Sequence, residues 1–310
     1  MMLPVKYFNN DEVADLLSVP ACIELVEDLF KNIDDTQMPP KVYMNVPNGD
    51  FRAMPAVVGN TAGIKWAGLN TKEAGKINIF AMVMINDIET GDLLAILDAE
   101  TLTAIRTAAV TGVATRYLSR TYSRTAAFIG CGHQTLRQIQ AVLAVRDIEI
   151  VKLFDLSEDR ANAVKNSLDY LPEPIKVEVC KTLAECLWDS DIVTTLTPSR
   201  KPFIKCEDLK PIAHINAVGA DAEGKREMHP CVLENVDLVS YDEWTQCSHS
   251  GEIQYAKKSK ISQIWSPLAE IVQGRVEVAG AGRTLFDATG LAIEDVATAR
   301  YIYDKFNKTK

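Results

Sequence analysis

The chain of 310 residues is 47% hydrophobic and 24% charged, the balance of a globular protein long enough for two modest domains. Its formal net charge of -9 argues against a nucleic-acid-binding surface, which would show as a basic patch. A few cations inside a pocket could still bind a small anion, because pocket charge is set locally.

The opening segment, MMLPVKYFNNDEV, has no long apolar run, so no signal peptide is expected. Asn10-Asp11 ahead of the amphipathic DEVADLLS predicts a capped helix, and a second helix is predicted from Ala21 to Phe30. MPPKVYMNV, FRAMPAVV and AGIKWAGLN read as short strands separated by turns at Asn48-Gly49 and Asn60. IFAMVMIND and LLAILDA follow as a hairpin through Glu89-Thr90-Gly91-Asp92. This first part is expected to form a mainly antiparallel sheet. A long helix rich in alanine and threonine is predicted from Leu102 to Leu118. Beyond it the period changes. TAAFIG, IEIVKLFD, VEVC, DIVTTLT, HINAVG and VDLVSYD read as strands, with helices over HQTLRQIQAVLAV and SEDRANAVKNSL. Strands alternating with helices predict an α/β class with a doubly wound parallel sheet. A closing helix is predicted from Ala292 to Asn307, and the tail FNKTK reads as a frayed end.

The seven cysteines are odd in number, irregularly spaced and form no C-x-x-C, so reduced thiols are expected, with no disulfide frame and no metal site. The longest apolar stretch, Ile79 to Ile85, is too short to span a bilayer, and a cytoplasmic, soluble protein with no membrane partner is expected.

The sharpest local signal is Gly130-Cys131-Gly132-His133-Gln134-Thr135, which follows an apolar strand and opens a helix. Gly130 permits a tight turn, and Gly132 removes a side chain where a pyrophosphate would approach the backbone. The helix N-terminus supplies free N–H groups and partial positive charge. Thr135 stands where this fingerprint usually has glycine or alanine. The next strand ends in Asp155, placed to bind a ribose 2'-hydroxyl. An aspartate there would repel a 2'-phosphate, which favours NAD over NADP.

With these residues in place, the chain resembles the ornithine cyclodeaminase/mu-crystallin family along nearly its whole length. The resemblance rests on Met38-Pro39-Pro40-Lys41, Arg52-Ala53-Met54-Pro55-Ala56, Gly63-Ile64-Lys65-Trp66 and Ala104-Ile105-Arg106-Thr107-Ala108-Ala109. It continues through Ile129 to Gln134, Thr195-Leu196-Thr197-Pro198-Ser199, His214 to Asp221 and Ser250-Gly251-Glu252-Ile253. Asp287-Ala288-Thr289-Gly290 and Ala292-Ile293-Glu294-Asp295 complete it. The resemblance implies a homodimer whose subunits carry a central NAD-binding Rossmann domain, residues 119–290. A second, α+β substrate-binding and dimerisation domain would be built from residues 1–118 and 291–310. Two departures bear on the substrate. Cyclodeaminases of the family carry a glutamate where this chain has Arg52, whereas its archaeal-type alanine dehydrogenase branch carries arginine. The His-Pro pair common after the asparagine of Asn70-Thr71-Lys72-Glu73 is missing.

Lys65 lies in an apolar strand, where its ammonium could polarise a reacting C=O or C=N group, and the resemblance makes it catalytic. Arg106 sits in an otherwise apolar helix, a position rarely given to a charge for packing, and is expected to clamp the substrate carboxylate. The resemblance places Lys41 and Arg52 beside the carboxylate or side chain. Asp221, beyond a Rossmann strand, is expected to serve as general acid/base. Gly130, Gly132, His133, Gln134, Asp155, Thr197, Pro198, Ser199, Val218, Gly219, Thr289 and Gly290 are the expected cofactor contacts. His214 reads as a core or surface histidine.

The function expected is reversible oxidative deamination of a small amino acid, first L-alanine, to a 2-oxo acid and ammonia through an imino acid. Ketimine or imine reduction, opine-like secondary-amine dehydrogenation and redox-neutral cyclodeamination stay open beside it, as does NAD(P)H binding without turnover.

Overall fold

The computed structural model describes residues 5–71, 77–169, 175–256, 263–278 and 280–308. Lys72 and Glu73 of the loop singled out above, and Thr309 and Lys310 of the tail, lie outside the described residues. The chain packs as two units, Met1–Thr107 with Leu291–Lys310, and Ala108–Gly290, so the division falls inside a helix rather than at its end.

The first unit contains strands β1 (Lys6–Phe8), β2 (Thr36–Gln37), β3 (Val42–Val46), β4 (Gly49–Val58), β5 (Thr61–Thr71), β6 (Ile77–Asp87) and β7 (Leu93–Asp98). Helices α1 (Asn10–Leu16), α2 (Val19–Lys31) and α10 (Ala292–Lys308) accompany them. The first helix cap is Asn9, not Asn10: its side chain accepts from the N–H groups of Asp11 and Glu12, while Glu12 returns a bond to the Asn9 N–H. Pro20 in the first turn of α2 fixes a backbone angle the helix needs. Strands β4 to β7 run antiparallel, as their alternating pattern predicts, while the short β1 adds in parallel to β7. Alternation splits the sheet into two faces. Met54, Ala56, Val83, Ile85 and Leu97 are buried on one, with α10 against β4, β5 and β6. Trp66, Met82 and Met84 are exposed on the other, beside the ring cluster Phe51, Trp66 and Phe80. Helix α10 continues through Lys308, so Phe306, Asn307 and Lys308 of the expected frayed tail are helical.

Helix α3 (Glu100–Leu118) leads into the second unit, whose eight described strands are all parallel. They are β8 (Thr125–Ile129), β9 (Ile150–Phe154), β10 (Lys176–Val179), β11 (Ile192–Thr195), β12 (Ala213–Ala217), β13 (Leu238–Tyr241), β14 (Ile264–Pro267) and β15 (Arg283–Asp287). Their order is β10-β9-β8-β11-β12-β15-β13-β14, doubly wound, with the direction of winding reversing between β8 and β11. Helices α4 (Thr135–Val145), α5 (Glu158–Asn166), α6 (Leu183–Leu187), α7 (Pro230–Asn235), α8 (Trp244–Ser250) and α9 (Leu268–Val272) complete the unit. Apolar side chains cover the sheet on both faces, one cluster around Phe128, Ile139 and Leu153 and another around Val193, Ile215 and Leu285. His214 is a core histidine: it bonds Thr284 and Asn216, each at 2.9 Å, and burial pushes it down to about 3, so it is neutral.

Candidate functional site

In the first unit, β4 and β5 set Arg52 opposite Ala67 and Met54 opposite Lys65, so Arg52 and Lys65 share the buried face. Lys41 immediately precedes β3, and its charge acts on Lys65. Lys65 is only 4% exposed. A buried ammonium needs a partner, and it has one: Nζ donates to Asp295 Oδ1 at 3.1 Å. The same oxygen accepts from Arg106 Nε at 2.9 Å, and Arg106 Nη1 donates to Glu294 Oε2 at 3.0 Å. Glu294 and Asp295 lie in the first turn of α10, where the helix dipole favours negative charge.

Burial pushes the Lys65 ammonium down to about 8, against the opposing pull of Asp295. Burial also pushes the Asp295 carboxyl up, but the charges of Arg106 and Lys65 outweigh it and hold the group below its ordinary range. The structure therefore joins Lys65 and Arg106 on Asp295, with the Lys41 charge acting on Lys65. Arg52 has a different partner. Its Nε and Nη2 donate to Asp50 at 2.7 and 3.3 Å, and its guanidinium lies 5.6 Å from the Tyr43 ring. Asp50 offsets the Arg52 charge, so a distal substrate ammonium would meet a paired guanidinium rather than a bare one.

In the second unit, the winding reversal carries the predicted glycine loop. Gly130 has φ +97, a backbone state open to glycine, and a Cβ there would lie 3.0 Å from the Leu196 carbonyl oxygen. Gly132 faces open space, with nothing within 4 Å of where a Cβ would stand. Thr135 adapts the third fingerprint position: it is fully buried and its hydroxyl donates to the Gly130 carbonyl at 2.8 Å. Asp155 braces the same loop, accepting from the Cys131 and Ser157 N–H groups, each at 2.8 Å. Carboxylate oxygens keep further lone pairs for ribose hydroxyls. The turn, the open glycine, the start of α4 and the aspartate together fit a dinucleotide. His133 and Gln134 lie between Gly132 and the start of α4, Gln134 as its cap residue without a side-chain capping bond.

Thr197, Pro198 and Ser199 lie past the end of β11, and Val218 and Gly219 past the end of β12. Thr289 and Gly290 donate their N–H groups to Asp242. Asp221 is half-exposed and ion-paired to Lys225. Among the described residues, no group of three or more His, Cys, Asp or Glu could hold a metal ion, and no helix is long and apolar enough to cross a membrane.

The profile of the ornithine cyclodeaminase/mu-crystallin family matches residues 6–310. The chain belongs to this family. It is 35% identical to an alanine dehydrogenase of Archaeoglobus fulgidus, over 96% of this chain and 93% of that protein. It is 29% identical to an ornithine cyclodeaminase of Agrobacterium fabrum, over 90% of this chain and 79% of that protein. Among solved structures, an archaeal alanine dehydrogenase dimer with bound NAD superposes with a TM-score of 0.91 at 34% identity, covering 99% of this chain and 97% of that one. The Thermococcus litoralis Delta(1)-pyrroline-2-carboxylate reductase, in complex with NADH and L-proline, gives 0.88 at 29%, covering 98% of both chains. The Rossmann sheet with a second α/β unit is thus the fold of family members with different reactions.

Asp50, Glu294 and Asp295 join the site beyond the residues expected from the sequence. Glu294 and Asp295 open a helix that also carries Arg300, Asp304, Lys305 and Lys308, so they lack the apolar surroundings that single out Arg106. Asp50 was legible, because residues two apart in a strand share a face.

Proposed function

We propose that this chain is an NAD-dependent oxidoreductase acting on the α-amino group of a small amino acid, with L-alanine as first substrate, to give pyruvate and ammonia. The observation that carries the reading is Lys65, buried and held with Arg106 on Asp295 in the first unit, while the glycine-loop cradle belongs to the second. The family relatives named above act on amino or imino acids by their names. In this reading, Lys41, Arg52 and Arg106 hold the substrate carboxylate. Lys65, as an ammonium, polarises the carbonyl or imine. Asp221 leaves Lys225 to move a proton to or from water or nitrogen. Gly130, Gly132 and Asp155 seat the dinucleotide, which when bound supplies the hydride acceptor. Residues 1–118 with 291–310 serve the substrate and dimerisation, and 119–290 the cofactor. The exposed apolar face with Trp66, Met82 and Met84 is the homodimer surface.

The Asp50 carboxylate beside Arg52 favours a second reading, cyclodeamination, since it could accept a distal ammonium.

The test mixes the protein with NAD and each of the twenty amino acids and follows absorbance at 340 nm. A rise with L-alanine that Lys65→Ala reduces by about 10²–10⁴-fold supports the first reading. Proline formed from ornithine without net absorbance change would replace it with the second. For the dimer, Trp66→Glu is expected to give monomers by light scattering; an unchanged mass would move the interface elsewhere.

A further inference from the structure

Three buried carboxylates of the second unit, Glu227, Glu252 and Asp287, have no part in the roles above, and each has no exposed surface. None forms an ion pair with a described residue; they bind backbone and hydroxyl groups instead. Asp287, the last residue of β15, accepts the N–H groups of Glu252 and Ile253, each at 3.0 Å. Glu252 accepts the Glu227 N–H, and the Met228 N–H at 3.2 Å. Glu227 completes the series. One of its oxygens accepts the Thr197 N–H at 2.8 Å and the Thr197 hydroxyl at 2.6 Å. The other accepts the Thr195 hydroxyl at 2.6 Å and the Gly219 N–H at 3.1 Å.

Two glycines are shaped to this ladder. A Cβ on Gly251 would stand 2.2 Å from Asp287 Oδ2, and one on Gly219 would stand 2.5 Å from Glu227 Oε2. The ladder therefore accounts for Gly251-Glu252 and Asp287, motif residues that no cofactor or substrate role absorbs. Its far end reaches the dinucleotide cradle. The segment Leu196-Thr197 walls the Gly130 turn, within 3.1 Å of where a Gly130 Cβ would lie. Glu227 fixes that segment from behind and ties it to the loop after β12.

We propose that Glu227 is a positioning residue of the dinucleotide site, clamping residues 195–197 to Gly219, and that Glu252 and Asp287 hold Glu227 in register. The proposal rests on the dinucleotide reading. A carboxylate suits the place because its four bonds all come from donors. In Glu227→Gln, one oxygen becomes an NH2 group facing a backbone N–H, of Thr197 or of Gly219, so that contact of the clamp becomes donor against donor.

The test is NADH affinity of the folded protein at 25 °C, by nucleotide fluorescence, with a thermal melt of each variant. Glu227→Gln is expected to weaken NADH binding about tenfold or more, and to raise KM for NAD while leaving KM for the amino acid nearly unchanged. Thr195→Val, which removes one neutral donor to Glu227, is expected to weaken binding about threefold with the fold intact. Lower melting temperatures with unchanged NADH affinity would overturn the proposal and make the ladder purely structural. If Glu227→Gln does not fold, unchanged affinity in Thr195→Val overturns it in the same way. Wild-type protein that does not bind NADH would overturn the dinucleotide reading and the proposal together.

Discussion

Asp295 in the first unit and Asp287 in the second are both fully buried, yet their surroundings push them in opposite directions. Burial raises each. For Asp295, Arg106 and Lys65 reverse the effect and keep the carboxyl below its ordinary range. For Asp287, two backbone N–H bonds do not suffice, and it stands at about 7; its neighbour Glu252, raised first by burial and then by Asp287, stands at about 8. Dipoles and full charges can both complete a carboxylate's hydrogen bonds, but a full charge nearby is what offsets desolvation. The first arrangement suits a site meant to hold charge. The second suits a scaffold that shapes loops.

The largest effect should come from breaking the ion-paired case. Asp295→Asn leaves two buried cations short of a carboxylate and is expected to lower unfolding free energy by about 3–5 kcal/mol in urea. Asp287→Asn removes no counter-charge and is expected to lose about 1–3 kcal/mol, the cost of a compromised hydrogen bond. Equal losses would erase the distinction between the two clusters.

The same contrast predicts a pH dependence. Asp287 and Glu252 have folded pKa values above the ordinary range, so near neutrality the folded chain holds protons that the unfolded chain has released. Stability from these groups is present at low pH and lost as pH rises through about 7 and about 8. Between pH ~7 and ~7.5, where His214 is mostly neutral in both states and Lys65 mostly charged in both, stability should fall by up to about 1.4 kcal/mol per pH unit for each group. Thermal melts of wild type and Glu252→Gln check this: the variant should show a shallower decline, and an identical slope would remove Glu252 from the account. Next in size is the alkaline limb of kcat/KM for the 2-oxo acid, expected near the Lys65 value of about 8 because the role proposed for Lys65 needs its ammonium form. Asp295→Asn should move that limb down by about one pH unit, since Asp295 supports the charged form. A limb that stays in place would separate Lys65 from the pH profile.

What the sequence made legible follows from how local each signal is. Gly130, Gly132 and Asp155 stood out because a strand, a turn and a helix start are local events. Helices α1 to α5 and α10 and strands β3 to β7 followed from periodicity, but α6 to α9 are at most seven residues long, β1 and β2 are two or three, and β14 and β15 lacked a pattern strong enough to read. Lys65 and Arg106 stood out as charges among apolar residues, while their partner did not, because Asp295 is 230 positions from Lys65 and 189 from Arg106. Glu227 was invisible for another reason. It lies in Lys225-Arg226-Glu227-Met228, which reads as an ordinary solvated run, and its burial goes with bonds to three separate segments, at Thr195 and Thr197, at Gly219 and at Glu252.

The smallest expected effect tests whether burial, rather than pairing itself, separates the clusters. Arg300 and Asp304 form an i,i+4 pair on α10, the helix that carries Asp295, with Nε to carboxylate distances of 2.9 and 3.0 Å. These distances match those of the Arg106–Asp295 pair, but the side chains are 33% and 44% exposed. Water already solvates both charges, and salt screens what remains, so the pair should contribute only about 0.3–0.5 kcal/mol. Asp304→Ala is therefore expected to shift the urea midpoint slightly, and added salt should shrink the difference. Asp295→Asn should keep nearly its full loss in the same salt, because its charges lie beyond the reach of ions. If Asp304→Ala matched Asp295→Asn in size, geometry alone would explain both pairs and desolvation would not be what distinguishes the buried cluster.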